Sequence, residues 1–125
     1  MIVEFTLPVV LTVALGGALG AASRFLLDAY VRGGLLIANT VASLLLGVML
    51  GVTAAGAITF SSAALGLAAA GFLGALSTFA TVSLRAAQLW MTSHRFLAVG
   101  LWFAHTGCGL AAAAGGAWLG WALAG

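Results

Sequence analysis

The sequence predicts an all-α membrane protein of four transmembrane helices, and three observations carry that prediction. Of its 125 residues 64% are hydrophobic and only 5% are charged, against roughly a quarter charged in soluble globular chains. The apolar residues fall into four stretches, each near the ~20 residues that a helix needs to cross the hydrocarbon core of a bilayer. The few charges, Glu4, Arg24, Asp28, Arg32, Arg85 and Arg95, lie at or close to the ends of those stretches. The whole chain, 1–125, reads as a single transmembrane domain, because its connections are short and no linker or low-complexity segment remains to house separate chemistry.

The first span runs from about Leu7 to Leu27, and the residues before it carry an acid and no basic cluster. They read as the approach to that helix, not as a cleaved signal peptide. The second span covers Leu35 to Ile58, the third Ser62 to Arg85 or slightly beyond, and the fourth Phe96 to Leu123. Small residues recur at helical spacing, as Gly16 and Gly20 in the first span, Gly47 and Gly51 in the second, and "GLAAAAGG" in the fourth. Such faces let helix backbones approach closely, within one chain or between two subunits. Four helices this slim enclose little on their own, so an oligomer is the physical expectation. Trp90, Trp102, Trp118 and Trp121 stand mostly near span ends, where amphipathic rings anchor at the headgroups.

The third span contains "GFLGALSTFATVS", Gly71 to Ser83. Gly71 and Gly74 predict an interruption of this helix at mid-membrane, where bared carbonyl oxygens would suit a hard cation, either structural or transported. Just beyond them Ser77, Thr78, Thr81 and Ser83 crowd around Phe79, which shares a helix face with Val82 and Ser83. Asn39, in "LLIANTVASLLLG", lies several residues into the second span with Thr40 beside it and Ser43 one turn further on. Ring edges are weakly positive, and Ser, Thr and Asn all donate hydrogen bonds, so this set could replace part of a small anion's hydration shell. No carboxylate lies at that depth to bind a cation or carry protons. An anion pathway follows, with interhelical hydrogen bonding and hydroxyls satisfying their own helix as the alternative reading.

Other classes fare worse. Four arginines without interleaved aromatics make no nucleic-acid surface. Cys108 is the single cysteine, so no intrachain disulfide forms, and it reads as a small packed residue. No G-x-S-x-G elbow is present, and four short spans offer no evident catalytic cavity, so an enzyme is not expected. His94, beside Arg95, reads as interfacial.

Over nearly its whole length the chain resembles the Fluc (CrcB-type) fluoride channels of bacteria. The resemblance rests on "GGALGAASRFLL" in the first span, "LIANTVASLLLG" in the second and "GFLGALSTFATVS" in the third. The corresponding family pattern is a GxxGAxxR start, an Asn in a GTLxxN segment and a GGLTTFSTFS run. The resemblance implies an antiparallel, dual-topology dimer in the bacterial inner membrane that lets fluoride leave the cytoplasm passively, with no ATP site. It also implies a central Na+ that is held and not transported, by backbone carbonyls that fall here on Gly74 and Ser77. Asn39 and Phe79 match the family's pore-lining Asn and first pore Phe, and Arg24 matches its first-helix Arg. Thr81 and Ser83 lie in the same lining run, and His105, in "WFAHTGCG", falls where the family keeps polar residues in the fourth helix.

Departures from the pattern matter too. Val82 stands where the run has its second Phe, Ser77 replaces the first Thr, Ala80 replaces a Ser, and Arg85 replaces the Glu that normally follows. Arg24, Arg32, Arg85 and Arg95 all lie in or beside the first and third connections, so the positive-inside rule places both termini outside. A homodimer of opposed subunits needs nearly balanced charge. Some family members occur as paired, diverged subunits, and the bias slightly favours such a heterodimer over self-association. A non-conducting accessory half remains an alternative. A small multidrug exporter is a weaker one, since it would need a Glu deep in the first span, whereas Glu4 lies before Pro8.

Overall fold

The structure is a computed structural model that describes residues 6–77 and 79–125, so Glu4 and Thr78 lie outside the described residues. All regular structure among them is helical. Helix α1 spans Leu7–Tyr30 and α2 Gly34–Ala54; α3 comprises residues 62–76; α4 spans Phe79–Met91 and α5 Arg95–Ala124. Four runs are long and apolar enough to cross a membrane: α1, α2, Leu65–Met91 across α3 and α4, and α5. Side chains such as Leu11, Leu15, Phe96 and Trp118 are exposed on the outside of the bundle. In a lipid solvent that surface is the stable one.

Local sequence explains most helix limits. Pro8 lies in the first turn of α1, where its missing N–H deprives no intrahelical bond. Gly33, at φ 72°, supplies the left-handed residue that turns the chain into α2. The second helix ends at Ala54, earlier than the expected Ile58, because Gly56 turns the chain at φ 73° and the Ala57 N–H bonds back to the Val52 carbonyl. The first helix continues past Leu27 to Tyr30, and the helical run after Ser77 continues past Arg85 to Met91.

The interruption of the third run also falls elsewhere than at Gly71 and Gly74. Residues Leu65–Leu73 form a π-helix, Gly74 is helical at φ −63° and ψ −40°, and the chain leaves helical geometry at Ser77, with φ −90° and ψ 124°. Gly71 has a different task. A Cβ there would meet the Val13 carbonyl and Gly16 Cα, so its bare Cα serves the approach of α3 to α1.

The helices pair in parallel. Along α1, Gly16 faces Leu67, Gly20 faces Phe72, Arg24 bonds Thr81 and Asp28 bonds Arg85, so numbers rise together along α1 and the α3–α4 run. The same holds for α2 and α5. Gly47 and Gly51 lie against Ala113 and Ala117, while Gly116 and Gly120 lie against Leu44 and Val48. Interlocked glycines at four-residue spacing let two helices touch through their backbones, where dispersion and weak polar contacts hold them in a solvent that gives no hydrophobic drive. The small-residue faces are thus occupied inside one chain. Between the pairs, Ala38 and Ala42 of α2 pack with Leu73 and Leu76 of α3, and Leu27, Met49 and Phe72 close around them.

Candidate functional site

The extended backbone at Ser77 opens a cleft between α2 and α5 on one flank and the start of α4 on the other. The cleft holds about 270 Å³, and its polar lining comes from Asn39 and Ser43 of α2, Ser77, and His105 and Thr106 of α5. Phe79 forms a wall. Asn39 is only 8% exposed, and His105 7%. Burying such side chains in an apolar bundle is costly unless each is matched. Asn39 has a polar interaction. The His105 ring accepts no bond at Nδ1. That nitrogen stands 2.9 Å from the Leu101 carbonyl, which can only accept, so Nδ1 carries the proton and donates. Its Nε2, and the Thr106 hydroxyl, are buried without a hydrogen-bond partner among the described residues.

The aromatic side is a short array of edges. Phe79 meets Trp102 with ring centroids 6.0 Å apart at 74°, and Trp102 meets Phe103 at 5.6 Å and 88°. Trp102 therefore packs against the site's phenyl ring. In the sequence its only signal is a position one turn before His105. Thr106 was likewise legible only as the neighbour of that histidine.

Of the residues that sequence reading gathered, the structure brings Asn39, Ser77, Phe79 and His105 to one cleft. It places the others elsewhere. Thr81 accepts a 2.9 Å hydrogen bond from Arg24 Nη1, Val82 is completely buried, and Ser83 is exposed away from the cleft. Arg85 pairs with Asp28 at 2.5 Å. Gly74 is exposed one turn before Ser77.

A second cavity, about 450 Å³, lies toward the α1–α2 connection, with Asp28, Arg32, Arg85 and Leu101 in its wall. His105 lines it as well. The imidazole therefore stands at the junction of a charged cavity and an uncharged polar cleft.

Four apolar helices around a buried polar cleft define the class: a multi-pass membrane protein whose polar chemistry lies inside the bundle. A family model described as CrcB-like protein, Camphor Resistance (CrcB), matches residues 11–117. The chain belongs to this family, the fluoride channels, which are channels and not enzymes. No curated protein matches it.

Proposed function

We propose that this chain is a subunit of a fluoride-specific channel of the bacterial inner membrane, through which fluoride leaves the cytoplasm passively. The observation that carries the reading is the convergence of Asn39, Ser77, Phe79, His105 and Thr106 on one cleft that holds no carboxylate. Hydrogen-bond donors and ring edges can replace water around a small anion, and the absence of fixed negative charge lets the anion enter. Hydrogen fluoride crosses the bilayer and ionises inside, so a passive pore suffices for resistance.

The same cleft bears on a structural Na+. Among the described residues no group of three His, Cys, Asp or Glu could hold a metal ion. Neutral oxygens are the other donors a hard cation can take, and the chain departs from the helical ladder at Ser77 while Gly74 is exposed. That fits a hard cation held by the Gly74 and Ser77 carbonyls. Two carbonyls are too few to enclose such an ion, so an antiparallel second subunit would supply the matching oxygens.

All charged side chains of the described residues cluster at one end of the bundle, which favours a diverged partner of opposite bias over a second copy. The test is fluoride and chloride efflux from liposomes holding the purified chain alone, with valinomycin present. Rapid fluoride release without chloride release establishes a self-sufficient homodimeric channel. Silence from a folded sample that is lifted by adding a paired subunit establishes the heterodimer, and silence with both overturns the conduction reading. In whichever assembly conducts, Asn39→Asp places a negative charge in the lining and is expected to abolish flux while leaving assembly intact. Unchanged flux removes Asn39 from the path.

A further inference from the structure

We infer that His105 is a proton-operated charge gate, binding a small anion between the charged cavity and the polar cleft only when its imidazole is protonated. The inference rests on the channel reading of the cleft and adds a regulation to it. Its first support is position, because His105 is the polar side chain that lines both cavities. Its second is the ring's hydrogen bonding. With Nδ1 donating to the Leu101 carbonyl, a neutral ring leaves Nε2 as a buried, unmatched lone pair at the junction of the two cavities. A lone pair repels an anion. Protonation converts the same atom into a charged N–H donor, with the unpartnered Thr106 hydroxyl as a second donor beside it in the cleft.

The surrounding charges fit this use. Asp28 of α1 and Arg85 of α4 are already paired with each other, and Arg32 of the α1–α2 connection shares their cavity. The side chains of α2 and of Ser77 that share the cleft with the ring, Asn39, Ser43 and Ser77, are neutral. An imidazolium at this junction has no carboxylate of its own, so a mobile anion is the counter-ion that it lacks. Arg32, whose charge no carboxylate of that cavity offsets, draws anions into the charged cavity, and the ring's charge decides whether they go further. Imidazole is the side chain whose ordinary titration lies between about pH 5 and 8, so cytoplasmic or external acidification is the physical input.

Two measurements test this. In liposomes, after subtraction of protein-free leakage, fluoride flux should rise at least about tenfold from pH 8 to pH 5.5, since one unit of pH is a tenfold change in protonated ring below saturation. In His105→Gln, which keeps an N–H donor but cannot titrate, flux should be flat over that range. Independently, imidazole NMR of the detergent-solubilised chain carrying His94→Gln leaves His105 as the single histidine. Added sodium fluoride, against sodium gluconate at equal ionic strength, should move the His105 titration midpoint upward. Reciprocity sets the size: a tenfold preference of fluoride for the charged ring moves the midpoint by about one pH unit. Flux that ignores pH in the wild type, pH dependence that survives in His105→Gln, or a midpoint indifferent to fluoride overturns the gate and leaves the channel reading standing. Absence of conduction at every pH, with the paired subunit present as well as without it, while fluoride still moves the midpoint upholds the proton-linked anion site and removes the channel reading.

Discussion

Arg24 and Asp28 reach partners that no local pattern could reveal. Arg24 bonds Thr81 and Asp28 bonds Arg85, and both pairs are separated by 57 residues. The repeated offset means that α1 and α4 run parallel in fixed register, with two polar bridges one turn apart. Sequence reading assigned Thr81 to an anion lining because hydroxyls crowd that segment; the hydroxyl's role as Arg24's acceptor depends on that register. Arg24 has little to spare, since its Nε is buried without a partner among the described residues. Thr81→Val removes the acceptor and keeps the shape, so it is expected to cost about 1–3 kcal/mol, the penalty for leaving a buried donor unmatched. Reversible unfolding in mixed micelles would show it, and a double-mutant cycle with Arg24→Met would show the coupling. A loss within error means that water reaches the guanidinium.

At the scale of the helix, small-residue spacing was legible but its use was not. Gly47 and Gly51 could have faced another subunit, yet their missing Cβ atoms are filled by the backbone of α5, and Gly116 and Gly120 are filled by that of α2. Spacing identifies a face; only the fold says what covers it. Gly115 and Gly116 make the distinction measurable. A Cβ at Gly115 meets nothing within 4 Å, whereas one at Gly116 runs into the Leu44 carbonyl and the Val48 amide. Gly115→Ala should leave stability unchanged or raise it by up to about 1 kcal/mol through helix propensity. Gly116→Ala should cost about 1–3 kcal/mol or more, because backbone cannot move aside as a side-chain tip can. Equal effects in the same unfolding assay would mean that α2 and α5 are not in backbone contact. The π-helix at Leu65–Leu73 left no mark in the sequence, since neither Gly nor Pro sets it off at both ends and its residues suit an ordinary helix equally. Reading Gly71 and Gly74 as breakers therefore placed the interruption one to two turns early.

For the whole molecule, the four spans, their order and the family were legible, because hydrocarbon admits so few backbone solutions that hydropathy nearly dictates them. The parallel pairing of α1 with the α3–α4 run and of α2 with α5 follows from four alternating crossings, and it gathers Arg24, Asp28, Arg32, Arg85 and Arg95 at one end. Their weights in setting orientation differ. Arg85 is neutralised by Asp28 and Arg24 is held by Thr81, while Arg32 and Arg95 are exposed, the latter stacked over Trp90 at 5.1 Å. Exposed arginines close to span ends are the ones that the positive-inside rule counts, so these two should carry most of the bias. Reporter fusions at the C-terminus in a bacterial host should then show alkaline phosphatase active and green fluorescence absent, with the terminus outside. Arg32→Gln with Arg95→Gln should populate both orientations, whereas Arg85→Gln with Asp28→Asn, which removes a neutral pair, should leave the orientation as it was. A wild-type chain found equally in both orientations would make opposed copies of itself available, and the argument for a diverged partner would lose its basis.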